Sequence, residues 1–159
     1  LRYMDQYVLV NQGSVFFITE ALALLEGFER GPAGNISLAA AFSLAQTMKS
    51  DQIIVVQESE YTGAGKHMKA QVSFAADRGV EISLGDPLHE KPGKTIIFPS
   101  SGALLKHIDL SLDQLKTSYL KHFSQTKLSQ HDISYLATEL NTTTEHISIL
   151  LEEINESKK

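Results

Sequence analysis

Residues 31–67 constrain the fold more than any other stretch. Gly31-Pro32-Ala33-Gly34-Asn35 opens an Ala-rich segment, Ile53-Ile54-Val55-Val56 is an unbroken apolar run, and Glu58-Ser59-Glu60-Tyr61-Thr62-Gly63-Ala64-Gly65-Lys66-His67 follows it. Gly31 to Gly34 reads as a tight loop, and Asn35 is expected to cap a helix of about fifteen residues that ends at the turn Ser50-Asp51. That helix carries the row Ile36, Ala39, Ala40, Ser43 and the flank Leu38, Phe42, Ala45, and its small residues suit close approach to a sheet. A short run apolar on both faces predicts a central parallel strand over 53–56. Polar residues and glycines just past the carboxyl end of such a strand are where α/β proteins build ligand sites.

The flanking segments fit the same class. Tyr7-Val8-Leu9-Val10 predicts a strand closed by the turn residues Asn11-Gln12-Gly13. Ser14 is the expected N-cap of the next helix, whose apolar face is Val15, Ile18, Leu22 and Leu25 and whose stop is Gly27. Residues 69–77 read as an amphipathic helix with Val72, Ala75 and Ala76 on one side, broken by Gly79. Strands follow at 80–83 and 95–98, with turns at Gly85-Asp86-Pro87 and Lys91-Pro92-Gly93-Lys94. From about Ser111 the pattern is helical only. Its stripes are Leu112, Leu115, Tyr119, Phe123, then Leu128, Ile133, Leu136, Leu140, then Ile147, Leu150, Leu151, Ile154. The expectation is an α/β unit over 1–100 and a helical extension over 101–159.

Composition narrows the functions. The net charge of -5 gives no basic field for nucleic acid. The absence of cysteine removes thiolate nucleophiles, disulfides and Cys-based metal sites, and it fits a cytoplasmic location. No apolar run approaches the roughly 18–20 residues of a membrane span. The start, Leu1-Arg2-Tyr3-Met4-Asp5-Gln6, has neither a signal-peptide pattern nor an initiator methionine, so the chain is expected to be a piece of something longer.

Several constellations have a plain reading beside a functional one. Gly63-Ala64-Gly65-Lys66 lacks the glycine spacing of a phosphate-binding P-loop, and His67 stands where Ser or Thr belongs. Lys66 and His67 at a helix start could still meet an anion, or simply face solvent. Glu58 and Glu60 alternate, so an extended backbone sends them to opposite faces, against a paired acid/base dyad. The six histidines form no His-x-x-x-His or His-x-His pair, and no metal site is expected. Residues 128–156 have helix-turn-helix spacing around Asn141-Thr142-Thr143-Thr144. The second helix, however, offers Glu145, Glu152, Glu153 and Glu156 where a recognition helix needs donors, so a docked helical hairpin is the expectation.

Taken together, the Pro-Ala-Gly turn, the Ala-rich helix and the 53–56 strand resemble the C-terminal part of fold-type II pyridoxal-phosphate enzymes, the class of the threonine dehydratases and cysteine synthases. Residues 58–67, with Gly79-Val80-Glu81-Ile82, Gly85-Asp86-Pro87, Pro92-Gly93-Lys94 and the tail segments Tyr135-Leu136-Ala137 and Asn141-Thr142-Thr143, are similar to one subfamily, the beta subunits of the 2-amino-4-ketopentanoate thiolases of ornithine fermentation. The resemblance implies part of a doubly wound, mostly parallel sheet domain of the tryptophan-synthase-beta type, followed by a helical tail. It implies coenzyme A-dependent cleavage of the substrate to alanine and acetyl-CoA, with pyridoxal phosphate as electron sink for the alanine fragment. The cofactor belongs to the whole enzyme; none is expected on these residues alone. Ser59, with Thr62 as second choice, is implied as the hydroxyl partner of the pyridine nitrogen. Tyr61, Lys66 and His67 are candidates for substrate or anion contact. The Schiff-base lysine, the substrate loop and the phosphate loop lie in that family's earlier half, so no catalytic residue is assigned here. The implied partners are that missing half, further copies in a homo-oligomer, an alpha subunit, coenzyme A and a small amino acid. A lyase of the threonine dehydratase or threonine synthase kind, and a non-catalytic α/β assembly module, are the alternatives.

Overall fold

The computed structural model describes residues 4–57, 68–123 and 126–157. In chain order they form strand β1 (Tyr7–Val10), helices α1 (Gln12–Glu26), α2 (Ile36–Ala45) and α3 (Met68–Asp77), strands β2 (Glu81–Gly85), β3 (Thr95–Pro99) and β4 (His107–Leu110), and helices α4 (Leu112–Leu120), α5 (Gln130–Glu139) and α6 (Thr144–Glu156). The chain divides into two compact units. One is Val8–Ile108; the other combines Leu1–Tyr7 with Asp109–Lys159.

The class is α/β, with small sheets. β2 and β3 pair in parallel, Ile82 opposite Ile96 and Leu84 opposite Phe98, while β1 pairs with β4 in a second two-stranded sheet. Helix α1 lies on β3, where Phe16 and Phe98 stack with centroids 5.9 Å apart. Gly13 permits this approach, because a Cβ there would collide with the Ile97 carbonyl oxygen. Val15, Ile18, Ala39 and Leu105 form the buried cluster of this unit, with Val10, Phe17 and Leu38 packed against it.

Several expectations from the periodicity are corrected here. Residues 53–56 form no strand: the segment is extended, and Ile53 and Val55 are 86% and 92% exposed. A run apolar on both faces becomes a central strand only where neighbours flank it, and no strand pairs with it among the described residues. Ser14 is not the cap of α1. Asn11 holds that position, and Ser14 is buried within the first turn of the helix. Leu25, expected on the apolar face, is 79% exposed near the helix end, although Gly27 does stop α1 in the left-handed region at φ 69°. Helix α2 has ten residues rather than about fifteen, and the loop before it is a 3-10 turn, Pro32–Asn35. The strand β4 is an element that periodicity did not mark.

The helical unit closes its own core. Leu120 and Ile147 are fully buried among Leu136, Leu140, Leu150 and Ile154, with Phe123, Leu128, Ile133 and Leu151 against them. The second and third apolar stripes read from the sequence are the ones buried here. The first is shifted, because α4 buries Leu120 while Leu112 and Tyr119 face outward. Each helix start is capped locally. Ser111 and Ser129 close capping boxes with Gln114 and Asp132, and the His146 N–H donates to Thr143 Oγ1 at 3.2 Å. Asn141 ends α5 at φ 50°, and the Thr142 N–H reaches back to the Ala137 carbonyl at 2.9 Å. Helices α5 and α6 thus pack as the expected hairpin, with Glu145, Glu152, Glu153 and Glu156 exposed.

Candidate functional site

The first turn of α1 is held by a distant carboxylate. The N–H groups of Gln12 and Gly13 donate to Glu90 Oε1 and Oε2 at 2.8 and 2.9 Å, and the Ile97 N–H donates to Oε2 at 3.0 Å. These are amides that a helix start would otherwise leave without partners, and a negative group there also meets the positive end of the helix. Glu90 carries no local sequence signal, since its partners in α1 are 77 and 78 residues away.

A cleft of about 400 Å³ opens beside this turn. Its walls are Val8, Leu9 and Val10 of β1, Gln12, Val15 and Phe16 of α1, Pro32 and Ala33 of the 3-10 turn, Ile36 of α2 and Gln71 of α3. The lining is apolar except for two carboxamides, the composition expected of a small-molecule site. Just behind it, Asn35 is completely buried. Its Nδ2 donates to Thr19 Oγ1 at 3.1 Å, and Thr19 Oγ1 donates to the Val15 carbonyl at 2.8 Å. Asn35 therefore braces α1 against the turn; its side chain makes no cap bond to α2. Its Oδ1, Ser14 Oγ and Asn11 Oδ1 are buried without a hydrogen-bond partner among the described residues. Buried polar atoms are normally paired; here two lie at the start of α1 and the third beside Thr19, farther along that helix.

The sequence-derived candidates Ser59, Tyr61, Thr62, Lys66 and His67 lie outside the described residues, as do Glu58 and Glu60. The structure describes the residues on either side of them. On one side, Ser37 Oγ donates to the Gln57 carbonyl at 2.8 Å, one residue past the cleft-lining Ile36. On the other, α3 begins at Met68 and brings Gln71 into the lining. Gln57 is thus held by a neighbour of the cleft-lining Ile36, and the helix that opens at Met68 contributes Gln71 to the lining. Among the described residues no group of three His, Asp or Glu could hold a metal ion, and no helix is long and apolar enough to cross a membrane.

The fold defines the class of molecule, an α/β protein with a cleft of about 400 Å³ beside the start of a helix. Comparison with known proteins is more particular. The chain is 51% identical over 158 residues to the 2-amino-4-ketopentanoate thiolase beta subunit of Acetoanaerobium sticklandii, and 43% identical over 158 residues to a protein of the same name from an unknown prokaryotic organism. Each match takes in 97% of this chain and 34% of the relative, so the chain spans about a third of the length of these curated relatives. No family model matches the chain, and no solved structure matches it.

Proposed function

We propose that these residues form part of a pyridoxal-phosphate-dependent enzyme of fold type II, a thiolase beta subunit that cleaves 2-amino-4-ketopentanoate with coenzyme A to alanine and acetyl-CoA. The observation that carries this reading is the 51% identity, across 97% of the chain, to a relative of that name. The cleft supports it. A volume of about 400 Å³ suits a pyridine ring, and Val10, Val15, Phe16 and Ile36 would give it apolar walls. Bound pyridoxal phosphate supplies an electron sink for the cleaved amino acid.

Within that reading each local residue has a task. Ser59 would give the ring nitrogen a neutral hydroxyl partner, which would leave that nitrogen largely unprotonated where a carboxylate would hold a proton on it; Thr62 is the second choice. Lys66 would offer positive charge and His67 a ring N–H to an anionic substrate, and Tyr61 would offer a hydroxyl. The lysine that bonds the cofactor lies outside these residues, in a polypeptide equivalent to the unmatched part of the relatives. The relatives' name, a beta subunit, supports a partner subunit, and assembly as a homo-oligomer is part of the same proposal.

The experiment is a cofactor titration of the chain co-expressed with that remaining part. Ser59→Ala is expected to weaken cofactor binding by about tenfold or less, the worth of one net hydrogen bond. Ser59→Asp is expected to divert products toward transamination. If Ser59→Ala changes nothing while Thr62→Ala weakens binding, Thr62 is the nitrogen's partner. On the chain alone, borohydride reduction in the presence of pyridoxal phosphate should label no single lysine. Stoichiometric labelling of one would overturn the assignment of the reacting lysine to another segment.

A further inference from the structure

Helices α4, α5 and α6 each begin with a Ser or Thr cap and carry an acidic residue in the first turn. Helix α1 has neither among the described residues: Asn11 makes no side-chain cap bond, and the first turn holds no acid. Both tasks fall to Glu90. Its carboxylate takes three backbone N–H groups, that of Gln12 on Oε1 and those of Gly13 and Ile97 on Oε2, at 2.8, 2.9 and 3.0 Å. Bonds from N–H groups to an ionised carboxylate are roughly twice as strong as neutral ones. Glu90 is itself mounted on both sides. Its own N–H donates to the Pro87 carbonyl at 3.0 Å, and the next N–H, of Lys91, donates to Thr95 Oγ1 at 2.8 Å. The carboxylate thus joins the start of α1 to β3 through a fixed point. Gln12, Val15 and Phe16, which are the α1 part of the cleft wall, stand at that start.

A donor set of this kind is a ready seat for the phosphate or carboxylate of a ligand. Here the seat is filled by the chain's own carboxylate. The cleft beside it offers two carboxamides, Gln12 and Gln71, and no charged side chain among the lining residues. Walls of a site must be held to within about 0.5 Å by the groups behind them if the site is to discriminate. We propose that Glu90 is a positioning residue of the cleft: as a built-in anion it fixes the first turn of α1, and with it Gln12, Val15 and Phe16, against an uncharged ring. Glu90 is not itself in the wall, so it acts through those three residues.

The inference rests on the cofactor reading for the identity of the ring, whereas the placement of the wall can be followed without cofactor. The chain is co-expressed with the unmatched part of the Acetoanaerobium sticklandii relative. Pyridoxal phosphate affinity is then measured beside the methyl NMR signals of the cleft residues Val10, Val15 and Ile36. Glu90→Ala empties the seat. It is expected to shift those signals and to weaken cofactor binding by about tenfold or more. Formate, a carboxylate small enough for the vacated space, should return the signals and bring the affinity to within about threefold of the unsubstituted protein. Glu90→Gln keeps the shape and serves where the alanine variant fails to fold. Its one carbonyl oxygen can accept from Gly13 and Ile97 while its NH2 faces the Gln12 N–H, so binding should weaken by about threefold, with no response to formate. Three results would overturn the proposal: affinity unchanged in both variants, a defect in Glu90→Ala that formate leaves as it is, or signals that formate restores while affinity stays low. An unsubstituted protein that binds no pyridoxal phosphate would sink the cofactor reading. Formate-reversible shifts of the three methyl signals would then still uphold Glu90 as the positioning residue, and unmoved signals would overturn it.

Discussion

In the helical unit, Leu120, Leu136, Leu140, Ile147, Leu150 and Ile154 meet one another across three short helices, and every helix start has its own cap. In the α/β unit the buried cluster is Val15, Ile18, Ala39 and Leu105, while Leu24, Leu25, Ile53, Val55 and Leu84 remain exposed. Both units are rich in Leu, Ile and Val, so the difference does not lie in hydrophobicity. It lies in how the apolar residues are grouped. Amphipathic helices can shield one another in a set of three, whereas segments apolar on more than one face need layers on each side.

The sharpest way to break that contrast is to open the helical core. Ile147→Ala and Leu120→Ala each remove a fully buried side chain and should destabilise the helical unit by about 2–5 kcal/mol. Urea denaturation followed by amide exchange reads this directly. Equal loosening of α1 and β3 would show that the two units do not differ as described. Next comes Gly13→Ala, which forces a methyl group onto the Ile97 carbonyl and should cost about 1–3 kcal/mol in the α/β unit. A crystal or NMR structure of that variant with α1 unmoved would contradict the close approach. Ser129→Ala removes one capping box and should lower the stability of α5 by about 1 kcal/mol.

The smallest effect is the response to acid. Hydrogen bonds from the Ser129 hydroxyl and backbone hold the Asp132 carboxyl below its ordinary range. Because the folded-state value is the lower one, the bond stabilises α5 fully above the ordinary aspartate range and is lost as the pH falls through the lowered value. Thermal melts down a pH series should show a slight acid loss that Asp132→Asn abolishes. A melt insensitive to both pH and the substitution would remove Asp132 from the cap.

Legibility in the sequence follows the same divide. The second and third helical stripes, the hairpin turn and Gly27 could be read because their partners lie within a few residues. Strands β2 and β3 were legible to within two residues, being bounded by Gly79, Lys94 and Pro99. The exposure of Ile53 and Val55 was not legible, since periodicity reports what a segment wants and not whether a neighbour supplies it. Glu90 and the bracing role of Asn35 escaped for a related reason: each depends on a group brought near only by tertiary folding. Of the site, the cleft-lining Pro32, Ala33 and Ile36 lay in the stretch singled out from the sequence, whereas the walls from β1, α1 and α3 did not.

The carboxylate of Glu90 has a consequence for time as well as for structure. Caps at Ser111, Ser129 and Thr143 form within three residues of their own helices, so those helices can be completed as soon as a local turn closes. Helix α1 waits for a residue 78 positions later. Contacts at that separation close slowly, because the loop between them must first give up its freedom. On emergence from the ribosome α1 would remain frayed at its start until the turn before β3 arrives. A pulse-labelled exchange experiment should therefore find the Gln12 and Gly13 amides among the last to be protected.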